Sequence, residues 1–332
     1  MENKILPASL SYRKKLLDQH NRKLLMTRLK DSQQESDVTL PVNCHGFGRL
    51  HNFRCNPDPN WIPDPLPAQP ACDFFGIQMP DAVLAQVFQL AACNFRCWYC
   101  FVHEDMLAAN TNVASFVSPE ELLHWMTEEN VKSRIVDLSG GHPELVPEYT
   151  LWFLEARAKA HLDKTHFIWV DDNLSTDFLW RFLSEEQIQY MVESKGLAKV
   201  GCLKGFDKTS FAFNTGADED LFEAQIDILA RLVKTGFDQY GYITLTHMSC
   251  TDLESKIERL LDDIQEKVHP NFPLRTIPLC IYPFGTNTHR FSKEADVNQY
   301  HALEVWTKAI ENRFTRSQIE SPITSVNIRS SE

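Results

Sequence analysis

Three cysteines lie close together in the segment 93–100 (CNFRCWYC), with the spacing Cys93-x3-Cys97-x2-Cys100. Sulfur is a soft ligand, and three thiolates this close on one loop select zinc, copper(I) or an iron–sulfur cluster. A closed zinc site needs a fourth ligand, which His103 could supply. A four-iron cluster held by only three cysteines instead keeps one iron open for a small molecule. The spacing therefore predicts a metal centre and leaves zinc and iron–sulfur as alternatives.

The cysteines directly follow a predicted strand, Val83–Ala92. From there onward, short apolar runs alternate with amphipathic segments, which predicts parallel β/α units. Right-handed crossovers curl such a sheet into a barrel or partial barrel, with its chemistry at the carboxyl ends of the strands. The other predicted strands are Arg134–Leu138, His166–Val170, Ala198–Leu203, Tyr240–Thr246 and Arg275–Ile281. The predicted helices are Pro119–Glu129, Pro147–Leu162, Thr176–Ser194, Glu219–Thr235, Leu253–Val268 and Asp296–Phe314.

In this position the cysteine motif resembles the signature of the radical S-adenosylmethionine (SAM) superfamily, including the aromatic Tyr99 before the third cysteine. The resemblance covers about residues 83–285 and implies an α/β fold, a partial (β/α)6 barrel of the radical SAM type with an irregular N-terminal extension. It also implies a [4Fe-4S] cluster on Cys93, Cys97 and Cys100. In that family the reduced cluster cleaves SAM to a 5′-deoxyadenosyl radical, which abstracts hydrogen from a substrate.

Segments after the next three predicted strands extend the resemblance. The segment 139–144 (SGGHPE) is similar to the Gly-Gly-Glu-Pro turn that grips the SAM amino group, with His142 in place of the glutamate. The segment 171–174 (DDNL) resembles the Asp-Thr-Asn-Gly segment of glycyl-radical activases. The Asp-Leu-Lys of those activases corresponds to residues 202–204 (CLK). The resemblance thus implies SAM contacts from Tyr99, Ser139, Gly140, Gly141, Asp171, Asn173 and Lys204.

Polar residues at the remaining strand ends are the candidates for substrate contact. They are Asp207, Thr246, His247 and Tyr282. Only their predicted position motivates them, because such residues are more often hydrogen-bonded parts of the fold than catalysts. We expect one of them to hold the substrate, with Asp207, His247 and Tyr282 as the candidate catalytic residues.

Charge and composition narrow the function classes. The 332-residue chain has a formal net charge of −12, which argues against a broad nucleic-acid or anionic-membrane surface. Residues 1–30 are the exception, with a net charge of +6. Within them, 12–30 is predicted to form a basic helix, and it is the expected docking site for an acidic one-electron donor, a flavodoxin or ferredoxin. The chain lacks a long apolar run and a secretory signal, so we expect a cytoplasmic protein that meets no membrane.

The predicted organisation has three parts: residues 1–80 with the basic helix and a proline-rich extension, 81–290 with the barrel, and 291–332 with a C-terminal helix and tail. Residues 31–80 are predicted to be irregular, because the stretch 56–70 contains six prolines.

Three functions stay open at this point. The first is a radical SAM enzyme acting on a small molecule or on a protein side chain. The second is an activase that installs a glycyl radical on a partner enzyme. The third is a non-enzymatic interaction protein whose cysteines bind structural zinc. A separate, weaker zinc hypothesis concerns four residues of the N-terminal part, Cys44, His45, His51 and Cys55.

Overall fold

A computed structural model describes residues 5–37, 40–54 and 64–329. In chain order, its strands are β1 (Leu17–Asp18), β2 (Lys23–Thr27), β3 (Gly48–Arg54), β4 (Ala82–Phe88), β5 (Ala114–Val117), β6 (Ile135–Leu138), β7 (Phe167–Asp172), β8 (Leu197–Leu203), β9 (Gln239–Thr244) and β10 (Thr276–Leu279). Its α-helices are α1 (Ile5–Leu16), α2 (Ala68–Phe75), α3 (Pro119–Glu128), α4 (Glu148–Lys159), α5 (Phe178–Phe182), α6 (Glu185–Glu193), α7 (Lys208–Thr215), α8 (Leu221–Thr235), α9 (Leu253–Asp263), α10 (Lys293–Arg313) and α11 (Arg316–Ile319).

The main sheet has seven strands in the order β10-β9-β8-β7-β6-β4-β3 and curls into a half-barrel. From β4 to β10 all neighbours are parallel, whereas β3 pairs with β4 antiparallel at the edge. The six parallel strands are the six predicted strands. The predicted α/β partial barrel is therefore confirmed, and the order of the strands explains how the segments that follow them meet at one rim.

The two faces of the sheet carry different cores, because successive side chains of a strand point to opposite faces. On β7, Ile168 and Val170 belong to the large core under the helices. Phe167 and Trp169 face the concave side, here called the lumen, and pack in a smaller cluster that also contains Ala71 of α2. Asp171 has the same parity as Trp169, so its side chain also faces the lumen.

The N-terminal helix predicted over 12–30 is wrong in its limits. α1 ends at Leu16, and the chain then turns into the small antiparallel sheet β1-β2-β5. The turn is stabilised by the Asp18 carboxylate, which accepts hydrogen bonds from the backbone N–H of Asn21 at 3.1 Å and from its Nδ2 at 2.8 Å. Arg22 adopts a left-handed conformation with φ 52°. Leucines at helical spacing can also lie in a buried strand. Here the polar turn after Leu16 ends the helix, and the second pair of leucines lies in β2.

The irregular region predicted over 31–80 contains two regular elements. β3 pairs along its whole length with β4 and extends the barrel sheet. α2 begins within the proline-rich stretch, where Pro70 occupies the first turn and its missing N–H leaves no intrahelical bond unmade. Residues 55–63 of that stretch, including Cys55, lie outside the described residues. The predicted boundaries at 80/81 and 290/291 stay a prediction.

The helix predicted over Thr176–Ser194 is two helices, α5 and α6. Leu183 between them is extended, and Ser184 caps α6 by accepting from the backbone N–H of Gln187 in a reciprocal capping box. Ser184 therefore begins a new helix. Across the ranges that the structure describes, none of the helices is both long and apolar enough to cross a bilayer.

Candidate cofactor and substrate site

The cysteine loop 93–100 lies at the carboxyl end of β4 and is fixed by hydrogen bonds to its backbone. Arg96 donates from Nη1 to the carbonyl of Cys93 at 2.6 Å. Arg290, from the segment after β10, donates from Nη2 to the carbonyl of Cys100 at 2.9 Å. Both ends of the loop are thus held by guanidinium groups, one from within the loop and one from the opposite end of the sheet.

The three thiols of this loop are half-buried, and two of them receive hydrogen bonds from the backbone. The N–H of Phe95 points at Cys93 Sγ at 3.4 Å, and the N–H of Val102 points at Cys100 Sγ at 3.4 Å. The negative charge of Cys97 also raises the pKa of each of these two thiols. Hydrogen bonds to thiolate sulfur are one of the means by which proteins tune iron–sulfur clusters.

A half-buried lysine, Lys204, opposes the free-energy cost of placing thiolates here. Burial raises the pKa of the Cys93 thiol to about 11 and that of Cys100 to about 12, and the Lys204 ammonium counteracts both shifts. Lys204 Nζ lies 5.7 Å from the centroid of the Tyr99 ring, and in the described part of the chain it forms no ion pair. Its positive charge is therefore available to the anionic centre that three thiolates create.

The turn after β6 presses against the residues that precede Cys93. Gly140 and Gly141 have φ +78° and +70°, a conformation that strongly favours glycine. A Cβ on Gly141 would lie 2.2 Å from the carbonyl oxygen of Leu90 and 2.7 Å from that of Ala92. The N–H of His142 donates to the same Ala92 carbonyl at 2.7 Å. The turn is thus fixed beside the cysteine loop, and its contact with SAM stays a prediction.

His142 occupies the position of the family's glutamate and is buried as a neutral ring. Burial, with the charges of Lys199 and Lys204, lowers the pKa of His142 to about 3. Its Nε2 lies 3.3 Å from Ser175 Oγ, and its Nδ1 has no hydrogen-bond partner in the part of the chain that the structure describes. This position therefore supplies no negative charge, unlike a glutamate.

The segment after β7 contributes one residue to the cysteine loop and turns another away from it. Asn173 donates from Nδ2 to Asn94 Oδ1 at 2.9 Å, and the same Nδ2 lies 3.6 Å from Cys93 Sγ. Its own Oδ1 is buried and has no hydrogen-bond partner within the described ranges. Asp172 instead accepts from the backbone N–H of Leu174 at 2.7 Å, on the helix side of the sheet. Asn173 is the residue of this segment that faces the loop.

Asp171, at the end of β7, interacts in the lumen with residues that follow the two neighbouring strands β6 and β8. Its carboxylate accepts a hydrogen bond from Ser139 after β6 and senses the charge of Lys204 after β8. Burial raises the pKa of Asp171, and these two contacts lower it. The structure therefore brings together the predicted residues Ser139, Asp171 and Lys204, and it places Tyr99 and Asn173 beside the thiols.

The candidate catalytic residues have a different environment. Asp207 caps α7, accepting from the N–H of Ser210 at 2.8 Å, and forms an ion pair with Lys256 at 2.8 Å. Thr246 donates to Asn214 Oδ1 at 2.6 Å. Protein groups thus already engage both residues, and a catalytic role for Asp207 stays a prediction.

His247 and Tyr282 follow β9 and β10. His247 Nδ1 contacts the Met248 carbonyl, and its ring meets Phe206 edge-on with centroids 5.2 Å apart. Its Nε2 is buried, with no hydrogen-bond partner from the described parts of the chain. Tyr282 interacts with the Cys280 thiol. In the described residues, no hydrogen bond joins either of them to the three thiols, so their roles also stay predictions.

Sequence reasoning missed two charged residues of the lumen, Arg49 on β3 and Asp137 on β6. Both are buried and within electrostatic reach of each other and of Asp171. The sequence does carry a signal. Asp137 interrupts an apolar strand, and Arg49 lies at every-second-residue spacing from His51 and Phe53, as residues on one face of a strand do. The Arg49 pattern has no meaning when residues 31–80 are predicted to be irregular, because that prediction places no strand there.

Comparison with known proteins now identifies the family. Residues 90–264 match the family model of the Radical SAM superfamily. This chain belongs to the radical SAM superfamily. A search of curated proteins finds no match to it. Members of this superfamily use a [4Fe-4S] cluster and SAM, and these are the cofactors of the protein.

Solved structures with a similar fold include two radical SAM proteins. SuiB of Streptococcus suis bound to the precursor peptide SuiA has 16% identity and a TM-score of 0.47 over 68% of this chain and 46% of SuiB. SuiB bound to SAM has 15% identity and a TM-score of 0.47 over 70% and 49%. A radical SAM methyltransferase from Sphaerobacter thermophilus has 12% identity and a TM-score of 0.42 over 69% and 65%. This chain thus spans about half the length of SuiB.

The residues present fit the cluster that the radical SAM family uses. Two of the three thiols on the loop receive backbone N–H groups, and Asn173 Nδ2 lies 3.6 Å from the Sγ of Cys93. A single zinc ion needs its ligands converging about 2.3 Å from one point. In the described residues, no three or more His, Cys, Asp or Glu side chains are arranged in that way. The cysteines of a four-iron cluster bind different irons and need not converge.

Proposed function

We propose that this radical SAM protein is an enzyme that reductively cleaves SAM and abstracts hydrogen from a substrate held in the barrel lumen. One observation carries the proposal. The loop with the three thiols contacts Asn173 and Lys204, which come from the carboxyl ends of β7 and β8, and Lys204 also interacts electrostatically with Asp171. Chemistry at the carboxyl rim of a parallel barrel sheet is the general rule for such folds.

The proposed roles follow from these contacts. Cys93, Cys97 and Cys100 hold the cluster, which together with SAM supplies an electron and a 5′-deoxyadenosyl radical. The Gly140–Gly141 turn lets backbone approach the amino group of SAM, because neither residue carries a Cβ. The Asp171 carboxylate suits a hydroxyl or an ammonium group.

Aromatic side chains exclude water from this rim. Trp98 donates from Nε1 to Asn214 Oδ1 at 3.0 Å, and its ring lies 5.7 Å from those of Phe213 and Phe291. The Tyr99 hydroxyl is within 3.1 Å of Thr244 Oγ1. A dry, fixed surround keeps a reactive radical from side reactions.

Anaerobic reconstitution tests the proposal. We expect a brown protein with four irons per chain that forms 5′-deoxyadenosine and methionine from SAM when dithionite is added. The variant with Cys93, Cys97 and Cys100 all changed to Ala should lose both properties, whereas Cys250→Ser, outside the loop, should keep them. Intact iron content and cleavage in the triple variant, or a colourless protein with one zinc, would refute the proposal.

The activase alternative rests on the sequence of residues 171–174 and 202–204. Cys202 lies in the lumen, where those activases have an aspartate. Electron paramagnetic resonance of a glycine-bearing partner after incubation with the reduced holoprotein separates the two functions. A glycyl radical would establish the activase, and deuterium transfer from a labelled small molecule into 5′-deoxyadenosine would establish the first function.

An external electron donor is part of the proposal, since radical SAM enzymes need one. We propose an acidic flavodoxin or ferredoxin that docks on the basic N-terminal region. Lys14 and Lys15 are exposed on α1, while Arg22 and Lys23 pair with acidic residues of neighbouring helices. The substrate is a small molecule or a protein side chain.

A further inference from the structure

Two buried, oppositely charged residues face the lumen at the same level of the sheet. Arg49 on β3 pairs in register with Val87 on β4, and Val87 pairs with Asp137 on β6. Neighbouring strands lie about 4.8 Å apart, so the two backbones are separated by about 10 Å. Phe53 and Ile135, which share the parity of Arg49 and Asp137, pack in the lumen cluster. Both charged side chains therefore point into the lumen.

Neither charge forms a salt bridge with a described residue, although the two attract each other across the lumen. Arg49 is 9% exposed and Asp137 is 4% exposed, and they form no ion pair with each other. Among the described residues, Arg49 Nε has no hydrogen-bond partner, and its Nη1 lies 3.4 Å from His51 Nδ1. Asp137 Oδ1 has no partner in the described residues. Buried charged groups without partners are unfavourable. A gap between a cation and a carboxylate therefore suits a ligand that supplies an oppositely charged group to each of them.

The gap lies next to the proposed SAM site. The Arg49 guanidinium carbon is 5.2 Å from the ring centroid of Phe101, which directly follows the cysteine loop. Asp137 pairs in register with Trp169, and Asp171 is the next lumen-facing residue toward the rim on the same strand as Trp169. Burial and the Asp171 charge raise the pKa of Asp137 well above its usual value, whereas Arg49 lowers it. A bound ammonium would favour its charged form in the same way.

We infer that Arg49 and Asp137 form the substrate subsite of this radical SAM protein, and that the subsite takes a small zwitterion of the amino-acid type. The inference rests on the function proposed above. The substrate carboxylate binds Arg49 and its ammonium binds Asp137. A ligand with only an anionic group would leave Asp137 unpaired, and a ligand with only a cationic group would leave Arg49 unpaired. The two opposite charges thus select a molecule that carries both.

The test uses reconstituted holoprotein with SAM and dithionite, and the probes are the twenty standard free amino acids. We expect at least one of them to accelerate 5′-deoxyadenosine formation, and its N-acetyl and carboxamide derivatives to lose this effect. In Asp137→Asn and in Arg49→Met, the half-saturating concentration of that amino acid should rise by about 30-fold or more, as for loss of one partner of a buried charge contact. The half-saturating concentration of SAM should not rise.

Asp64 offers a matched control in the same lumen. Its carboxylate already accepts from the Leu66 N–H at 2.9 Å and from the Tyr242 hydroxyl at 3.0 Å. Asp64→Asn should therefore leave the response to the amino acid unchanged. The melting temperature of Asp137→Asn should not fall, since the substitution removes a buried carboxyl whose Oδ1 has no hydrogen-bond partner among the described residues. A purely structural carboxylate would give the opposite result.

Three outcomes would overturn the inference. They are a panel without any active amino acid, an acetylated derivative as active as its parent, and a rise in the half-saturating concentration of SAM in Asp137→Asn. The last would assign the residue to the SAM site. Nucleoside formation that is normal but does not respond to any probe overturns only this subsite. Absence of nucleoside formation in the wild-type holoprotein would instead refute the proposed function.

Discussion

Lys204 is the side chain whose charge reaches most of the candidate site. It acts on the thiols of Cys93 and Cys100 and on the Asp171 carboxylate, and its ammonium lies over the Tyr99 ring. A half-buried cation in this position stabilises negative charge on any neighbouring ligand. Its effect should therefore appear in the affinity for SAM, which carries a carboxylate.

We predict that Lys204→Met weakens SAM binding to the reconstituted protein by about tenfold or more, the size expected for loss of a charge-assisted contact. Equilibrium binding of radiolabelled SAM measures it. Lys208→Met is the control, because Lys208 is exposed and pairs with Glu223 at 3.2 Å. Equal affinity in the two variants would show that Lys204 does not contact SAM.

Gly141 is required by space as well as by conformation. We predict that Gly141→Ala lowers the free energy of unfolding by at least about 3 kcal/mol, from left-handed strain and a collision with the Leu90 carbonyl. Gly76→Ala should cost only about 1 kcal/mol, because Gly76 has φ +64° but nothing within 4 Å of its Cβ position. Urea unfolding of the two variants makes the comparison, and equal losses would contradict it.

At the candidate site, the positions of single residues relative to the strands could be predicted most directly from the sequence. The cysteine spacing, the two glycines and Lys204 could be placed from the sequence because each follows a strand end. Arg49 and Asp137 could not, since their proximity depends on an antiparallel edge strand that lies beyond a proline-rich stretch. A buried charge reveals its partner only when the order of the strands is known.

At the scale of elements, an ionic cluster links β8 to the turn after β6. Lys199 on β8 and Glu144 are both fully buried and form a salt bridge. Asp172 at the end of β7 lies beside them, and burial together with Glu144 raises its pKa to about 7, while Lys199 lowers it. The ends of three neighbouring strands are thus electrostatically coupled on the helix side of the sheet.

This coupling gives a pH dependence with a definite sign. Between the ordinary carboxyl pKa and about 7, the folded protein keeps a proton on Asp172 that the unfolded chain has released. The stability contributed by this group is therefore present at low pH and is lost as the pH rises through about 7. We predict that Asp172→Asn, which can still accept from the Leu174 N–H, becomes more stable relative to the wild type from pH 5 to pH 8.

Urea unfolding at pH 5, 6, 7 and 8 measures this difference, and Asp163→Asn on the surface is the control. A stability difference that does not change with pH for Asp172→Asn would show that the carboxyl titrates normally in the fold.

Strands that consist of short apolar runs were predictable from the sequence, and helix ends that depend on local turns were not. The six parallel strands follow from buried apolar runs, and Ser118 with Pro119 marks the start of α3. The division of α5 from α6 depends on one capping box at Ser184, and the end of α1 depends on a turn around Asp18. Such local hydrogen bonds compete with a helix that the apolar pattern alone would continue.

At the scale of the whole molecule, charge separates the N-terminal region from the rest. The chain is acidic overall, and α1 carries exposed Lys14 and Lys15. Arg13 on the same helix is buried and pairs with Glu148, so it anchors the helix and leaves its lysines outside. The basic surface is thus attached rigidly to the body of the protein.

We predict that neutralising Lys14, Lys15, Arg22 and Lys23 together slows reduction by an acidic flavodoxin about tenfold at low salt and flattens the salt dependence of the rate. Stopped-flow absorbance of the flavodoxin semiquinone measures it. The control variant neutralises four exposed lysines elsewhere in the chain, Lys195, Lys234, Lys293 and Lys308. An unchanged rate in the first variant, or an equal decrease in both, would contradict docking at this surface.

The antiparallel pairing of β3 has a consequence for how the chain tolerates being shortened. β3 covers the outer edge of β4 from Gly48↔Phe88 to Arg54↔Ala82. A fragment that starts after β3 would present the bare N–H and C=O groups of β4 to other molecules, which is the usual route to intermolecular strand addition and aggregation. The N-terminal segment therefore protects the solubility of the barrel as well as contributing a side chain to its interior.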